Sequence, residues 1–148
     1  MNMILFVGIQ ATGKSEFYKQ NFYKSHIRIN LDMLKTRYRE KILVDACLSA
    51  KQSFVVDNTN LTAADRTVYI DAAKKYEFEI IGYYFKSSIA DAIARNEKRI
   101  GKEKLPIAAI KSAHARLELP TMNEGFDKLH YVCIENDLFI IEEYRDEI

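Results

Sequence analysis

Two glycines, a lysine and a serine stand in GIQATGKS, residues 8–15, with the spacing G-x-x-x-x-G-K-[ST]. The glycines let the backbone curl so that successive N–H groups point inward, and a helix that begins behind the loop adds partial positive charge. This pattern predicts a phosphate-binding loop in which Lys14 reaches the β- and γ-phosphates of ATP and Ser15 holds Mg²⁺. A glycine-containing turn before a helix that starts with lysine is the alternative. The predicted nucleotide-binding residues are Gly8, Ile9, Gln10, Ala11, Thr12, Gly13, Lys14 and Ser15.

A carboxylate and a cation follow the second apolar run in RINLDMLK, residues 28–35. Phosphoryl transfer needs one group to accept the proton of the attacking hydroxyl, and cations to neutralise the moving phosphoryl group. Asp32 and Lys35 lie three residues apart, on one face if a helix has begun, so both are candidates to face an acceptor hydroxyl. Spacing alone equally allows Asp32 to cap its helix while Lys35 is solvated.

Polar residues also follow the third apolar run, SFVVD, at residues 53–57. Ligands of open α/β sheets bind at the carboxyl ends of the strands, so Asp57 is predicted to order the water shell of Mg²⁺. Thr59 and Asn60 equally fit a simple turn into the next helix, and this alternative is weaker for Asp57.

Arg95 and Arg99 lie four residues apart in RNEKRIGKEK, residues 95–104, directly before a glycine. A closing lid needs a cation on a mobile connection, and this segment predicts such a lid at about residues 95–106. Runs of charge more often form a solvated surface. That interpretation is adopted for Lys98, Lys102 and Lys104, and Arg66 within an earlier helical pattern equally fits a solvated face.

The candidates need a scaffold in which several strand ends meet. Apolar runs alternate with helical periodicity in the order βαβαβαβααβ, which predicts an α/β P-loop fold of three layers with a five-stranded parallel sheet and a helical lid. Thr62 and Asp65 resemble a capping box that starts one of the helices. The tail at 136–148 fits either an extra strand or a docked helix. The predicted strands are 3–8, 26–30, 53–57, 78–85 and 128–134.

The composition predicts one compact domain over residues 1–148. The chain is 48% hydrophobic with a formal net charge of +1, so nucleic-acid binding would rest on a local basic cluster rather than on a global field. Cys47 and Cys133 lie far apart, which indicates no disulfide and a reducing, cytoplasmic setting. No secretory signal and no membrane-spanning run is expected.

Five segments together resemble the polynucleotide 5′-hydroxyl kinase domain of end-healing enzymes. They are the phosphate loop, INLD at 29–32, VVDNTNLTAADR at 55–66, RNEKR at 95–99 and LPTMNEGFD at 119–127, and the resemblance covers residues 3 to about 132. It implies that Asp32 is the general base and that Arg99 contacts the ATP phosphates, which makes Asp32, Lys14 and Arg99 the predicted catalytic residues.

The same resemblance places Asn58 and Asn60 on the acceptor and metal side of the cleft. It puts Lys35 where the family usually has an arginine that contacts the acceptor phosphate, and Leu31 where an arginine commonly precedes the catalytic aspartate. A lysine neutralises phosphate as a point charge without the bidentate fork of arginine. The two departures therefore thin the cationic surface that would hold a nucleic acid.

The sequence thus predicts an ATP- and Mg²⁺-dependent kinase whose acceptor is the 5′-hydroxyl of a DNA or RNA strand. A kinase that acts on a nucleoside, sugar or antibiotic hydroxyl is the second interpretation, favoured by the near-neutral charge and the missing arginines. A nucleotide-binding module without catalysis is the third.

Overall fold

A six-stranded sheet forms the centre of the protein, as described for residues 1–145 by a computed structural model. The strand order is β2-β3-β1-β4-β5-β6, and every neighbouring pair is parallel except β5 with β6. The α/β P-loop class predicted from the sequence is confirmed. The strands are β1 Asn2–Val7, β2 Ile27–Ile29, β3 Phe54–Val56, β4 Glu79–Phe85, β5 Lys128–Glu135 and β6 Leu138–Glu143.

The sixth strand corrects the predicted count of five parallel strands. Asn136 and Asp137 have φ values of 52° and 61°, the backbone that a two-residue hairpin turn requires, and Asn and Asp adopt it more easily than most residues. The chain therefore reverses after β5, and β6 pairs antiparallel to it. Of the two structures expected for the tail, the strand is the one formed, over Leu138–Glu143, and residues 146–148 lie outside the described part.

The helices pack on both faces of the sheet, and one predicted helix is interrupted. Helical periodicity in DMLKTRYREKILVDACLSA, residues 32–50, predicts a single helix, but the chain leaves helical geometry at Lys35, whose φ is 75°. Thr36 then caps a new helix by accepting a hydrogen bond from the backbone N–H of Arg39. The helices are α1 Lys14–Asn21, α2 Leu31–Leu34, α3 Arg37–Ala50, α4 Ala63–Lys75, α5 Ile89–Glu97 and α6 Ile107–Arg116.

Alternation along β1 separates the two halves of the core. Met3 and Leu5 point into a cluster that α3 and α4 cover, whereas Ile4 and Phe6 point to the opposite face, where they pack against Phe17 of α1. Because β1, β2 and β3 are parallel, their carboxyl ends lie at one edge of the sheet. The segments 8–13, 30–32 and 57–60 leave from that edge and meet there.

Both cysteines are free thiols, Cys47 in the core and Cys133 on β5. Burial raises the pKa of each thiol, so both favour the protonated form. Among the helices of residues 1–145, none has the length and apolar character needed to cross a membrane.

Candidate active site

The phosphate loop connects β1 to α1 and is closed by its own lysine. Gly13 has a φ of 93°, a left-handed conformation that glycine adopts without strain, and α1 begins directly after it. The Lys14 ammonium donates hydrogen bonds to the carbonyl oxygens of Gly8 at 2.9 Å and Ile9 at 2.6 Å. The loop is also tied to the next segment, because the N–H of Gly8 donates to the carbonyl of Thr59.

Burial and three nearby charged side chains determine the pKa of Lys14. Burial lowers the pKa of its ammonium to about 8; Asp57 opposes this effect, Arg99 adds to it, and Asp32 opposes it. Asp32, Asp57 and Arg99, three other predicted site residues, are thus near enough to Lys14 to influence the pKa of its ammonium. An anionic phosphate group at this position would favour the charged form of Lys14.

Ser15 and Asp57 meet at the start of α1, where the sequence predicts a metal site. The Ser15 hydroxyl donates to Asp57 Oδ2 at 3.3 Å, and the Asp57 side chain is 2% exposed. A carboxylate and a hydroxyl are oxygen ligands of the kind that Mg²⁺ prefers, so the two residues fit this ion. Mg²⁺ requires near-octahedral coordination, so phosphate oxygens and water would have to complete its shell.

Arg28 is a site residue that the sequence interpretation missed. Its Nε donates to Asp57 Oδ2 at 2.8 Å, and its Nη2 donates to the Ser15 hydroxyl oxygen at 2.9 Å. The available signal was the single charged residue in the short strand Ile27–Ile29, placed between two isoleucines. It could not be assigned a partner from the sequence, because the charge meets the carboxylate at the end of β3 only through the pairing of β2 with β3 in the sheet.

Asp32 lies at the rim of the same cleft, and it does not cap its helix. Asn30 is the N-cap of α2, since its Oδ1 accepts a hydrogen bond from the N–H of Met33 at 2.9 Å. None of the described residues donates a hydrogen bond to the exposed Asp32 carboxylate. The capping alternative is therefore excluded, and the carboxylate is available to a ligand.

Asn58 holds the backbone on which Asp32 is carried. Its Oδ1 accepts from the N–H of Leu31 at 2.8 Å, and its Nδ2 donates to Glu40 Oε2 at 2.9 Å. Glu40 is buried on α3, and its other oxygen accepts from the Tyr69 hydroxyl at 2.6 Å. Burial, followed by the hydrogen bond from Tyr69 to Glu40, raises the pKa of that hydroxyl. Asn58, predicted to bind substrate, is thus engaged by the protein through both ends of its amide.

The remaining predicted residues differ in how they meet the cleft. Asn60 is buried, and its Nδ2 donates to the carbonyl of Phe6 at 2.7 Å, so this amide supports the loop after β3. Lys35 is exposed on the cleft wall. Arg99 is half-buried there and donates to the carbonyl of Glu103 at 3.3 Å. The Gln10 Oε1 atom is buried and accepts no hydrogen bond from the described residues.

Arg66 corrects the interpretation of a solvated helix face. Its side chain is 0% exposed and forms a double hydrogen bond with Glu124, at 2.7 Å from Nε to Oε1 and 3.1 Å from Nη2 to Oε2. Its Nη1 also donates to the carbonyls of Asn60 and Leu61. Arg66 therefore fixes the turn after β3 from beneath, and Glu124 supplies the charge that its burial requires.

One cleft of about 1560 Å³ collects these features at the carboxyl edge of the sheet. It extends from the phosphate loop across α2 to α3 and α4, so a nucleotide and an acceptor could lie side by side. Asn58 and Asn60 also line the cleft, but their side-chain amides form hydrogen bonds within the protein. The predicted site residues that line it are Gln10, Ala11, Gly13, Lys14, Ser15, Asp32, Lys35, Asp57, Asn58, Asn60 and Arg99.

The chain is similar in sequence to a known domain family and to two kinases. A family model described as AAA domain covers residues 3–120. A bifunctional polynucleotide phosphatase/kinase of Schizosaccharomyces pombe is 32% identical over 149 residues, which is 97% of this chain and 35% of that protein. An L-seryl-tRNA(Sec) kinase of Methanococcus maripaludis is 25% identical, covering 97% of this chain and 67% of that protein.

A gluconokinase from Sinorhizobium meliloti shares the fold. Its crystal structure superposes with a TM-score of 0.63 at 16% sequence identity, covering 89% of this chain and 82% of that one. By contrast with this near-complete overlap, the chain spans about a third of the length of the S. pombe relative. The activities named for that longer protein stay those of that protein.

Proposed function

The chain belongs to the AAA domain family and is a P-loop kinase, and on this premise we propose that it transfers the γ-phosphoryl group of ATP to the 5′-hydroxyl of a DNA or RNA strand. The observation that carries the proposal is the position of Asp32. Its carboxylate is exposed in the cleft that contains Lys14, and the helix cap that could have occupied it is supplied by Asn30.

The reaction assigns one role to each group. The acceptor hydroxyl oxygen forms a bond to the γ-phosphorus, the bond from that phosphorus to the β–γ bridging oxygen breaks, and the hydroxyl proton passes to Asp32. Lys14 binds the β- and γ-phosphates, and Arg99 brings a second cation from the lid at 95–106 within the single domain 1–148. Mg²⁺, held by Ser15 and Asp57, supplies further charge neutralisation when bound.

A polynucleotide acceptor is supported by similarity and by the shape of the cleft. The S. pombe relative, whose name specifies a polynucleotide kinase, is similar over nearly the whole of this chain. Beyond Asp32 the cleft continues past Lys35 to α3 and α4, and Lys35 together with Arg37 and Lys41 of α3 would offer cations to an acceptor longer than one nucleotide.

A small hydroxyl compound is the second candidate acceptor. The cleft wall carries Asp45 and Asp65 beside its cations, and position 31 is leucine, so no continuous basic track follows the acceptor side. The similarity to L-seryl-tRNA(Sec) kinase points to a different acceptor, a serine hydroxyl carried on RNA rather than on a free small compound.

Transfer from γ-labelled ATP tests the proposal directly. The acceptors are a 5′-hydroxyl oligodeoxyribonucleotide, the matching oligoribonucleotide, a nucleoside and a sugar. We expect label on an oligonucleotide 5′ end, with a KM that rises steeply between about 50 and 200 mM salt, because an oligonucleotide releases counterions on binding. Label only on the nucleoside or sugar would favour the second candidate, and ATP binding without transfer to any acceptor would favour a binding module.

Asp32→Asn isolates the chemical step, since it keeps the shape of the side chain and removes the proton acceptor. We expect kcat to fall by about 10²- to 10⁴-fold while ATP affinity is retained. Asp45→Asn is the matched control, because Asp45 is an aspartate of the same cleft that forms a surface ion pair with Lys41. If Asp32→Asn and Asp45→Asn transferred phosphate equally well, Asp32 would not be the base.

A further inference from the structure

Arg28 contacts the two oxygen atoms that the proposed metal needs. Its Nε lies 2.8 Å from Asp57 Oδ2, and its Nη2 lies 2.9 Å from the Ser15 hydroxyl oxygen. A guanidinium is planar and presents its N–H groups in a fixed fork, so one side chain binds both oxygens at once. The bond to Asp57 is an ion pair in which the carboxylate is almost fully buried and Arg28 is 27% exposed.

These contacts conflict with metal binding at the same place. A Mg²⁺ ion held by Ser15, and by Asp57 directly or through a bound water, would need the oxygen atoms that Arg28 contacts, and its coordination shell tolerates little distortion. The guanidinium cannot keep both hydrogen bonds while a divalent cation occupies the space between those oxygens, and the two cations repel each other. One of them has to leave.

The charges around the site add to this conflict. Lys14 and Arg99 influence each other at the phosphate loop, and the Lys14 ammonium also interacts with Asp57 and Asp32. Asp57 thus lies between two cations, Arg28 in direct contact and Lys14 nearby, before any metal arrives. A nucleoside triphosphate carries several negative charges, which would offset the positive charge of the metal and offer Arg28 other oxygen acceptors.

We propose that Arg28 competes with Mg²⁺ for Asp57 and Ser15, so that the protein binds the free ion weakly and takes it up together with the nucleotide. The inference rests on the proposed function in one respect, namely that Ser15 and Asp57 are the metal ligands. It adds a residue that sets the order of binding: Arg28 holds the ligands in place, and the nucleotide phosphates release them to the metal.

Binding of Mn²⁺ in place of Mg²⁺ tests the proposal without catalysis. The concentration of free Mn²⁺ is measured by electron paramagnetic resonance in titrations of nucleotide-free protein, wild type against Arg28→Gln. We expect the variant to bind the ion at least about tenfold more tightly, a difference of about 1.4 kcal/mol. With ADP present the difference in Mn²⁺ affinity between wild type and variant should shrink, because the ADP phosphates would accept hydrogen bonds from Arg28 in the wild type and free Asp57 and Ser15 for the ion.

Two further variants keep the test decisive. Arg28→Lys retains a cation but cannot span both oxygens, so its Mn²⁺ affinity should lie between those of the wild type and Arg28→Gln. If Arg28→Gln does not fold, an Mn²⁺ affinity of Arg28→Lys no higher than that of the wild type refutes the competition. Arg116→Gln removes one positive charge from the last turn of α6, outside the cleft lining, and should leave Mn²⁺ affinity unchanged.

The outcomes separate this inference from the proposed function. If Arg28→Gln gained less than about tenfold in Mn²⁺ affinity while Asp57→Asn still abolished Mn²⁺ binding, competition by Arg28 would be refuted and the metal site would stand. If Mn²⁺ bound equally well to Arg28→Gln and to the Arg28→Gln/Asp57→Asn double variant, the assignment of Asp57 as a ligand would itself be wrong.

Discussion

Glu124→Gln tests how strongly the buried ion pair supports the site. The substitution keeps the size of the side chain and one oxygen acceptor, but it leaves Arg66, which is 0% exposed, without a negative partner. Removing one member of a buried pair costs about 3–5 kcal/mol. We take the lower end, about 3 kcal/mol, because Arg66 keeps its hydrogen bonds to the carbonyls of Asn60 and Leu61.

The expected loss can be read as a melting temperature. For a chain of this size, 1 kcal/mol corresponds to about 2–4 °C, so the midpoint of thermal unfolding should fall by about 6–12 °C. Glu79→Gln is the matched control: Glu79 pairs with Lys128 at 3.5 Å on the surface, where both side chains are about half exposed. Such pairs contribute little, and its midpoint should move by no more than about 2 °C.

Nucleotide binding by the same variant shows how far the damage extends. Arg66 donates hydrogen bonds to two carbonyl groups in the segment after β3, and in the same segment the Thr59 carbonyl accepts a hydrogen bond from the N–H of Gly8. ATP affinity should therefore fall, but by less than the loss of stability suggests, since Lys14 is untouched. Equal melting temperatures for Glu124→Gln and Glu79→Gln would refute the claim that this pair organises the loop.

Three further expectations concern the cations of the cleft. Lys14→Ala should abolish transfer without lowering the melting temperature by more than a few degrees, and normal ATP turnover would contradict the phosphate-loop assignment. Arg99→Ala should lower kcat more than Arg95→Ala or Lys102→Ala. Equal and small effects of the three substitutions on kcat would disprove the lid role of Arg99. Since the pKa of Lys14 is about 8 and bound phosphate would raise it, nucleotide binding at pH 8.5 should take up protons while binding at pH 6.5 does not. Calorimetry in buffers of different ionisation enthalpy measures this uptake, and its absence at pH 8.5 would exclude the depressed pKa.

Local signals were sufficient for most of the scaffold. The phosphate loop could be placed because its residues, the apolar strand before it and the helix after it occur together within twenty residues. The capping box of Thr62 and Asp65 likewise marks the start of α4 in the structure. The roles assigned to the site residues remain predictions, although Asp32 and Lys14 do line one cleft.

Long-range pairing was what the sequence could not provide. Arg66 and Glu124 are 58 residues apart, and nothing near either one indicates that the arginine is buried rather than solvated. Arg28 meets Asp57 only because β2 and β3 are neighbours in the sheet. The break at Lys35 was missed for a different reason, since a threonine cap inside a helical pattern is weaker than the periodicity around it.

The hydrogen bond from the Leu31 backbone to Asn58 has a consequence for how such an enzyme can diverge. Asn58 grips the main chain at position 31 and makes no demand on the side chain there. Under the proposed function, a substitution at that position would change the surface offered to the acceptor while the backbone that carries Asp32 keeps its hydrogen bond to Asn58. Acceptor preference and the chemical step would then evolve independently, because one substitution at position 31 would act on the first and leave the geometry of the second unchanged.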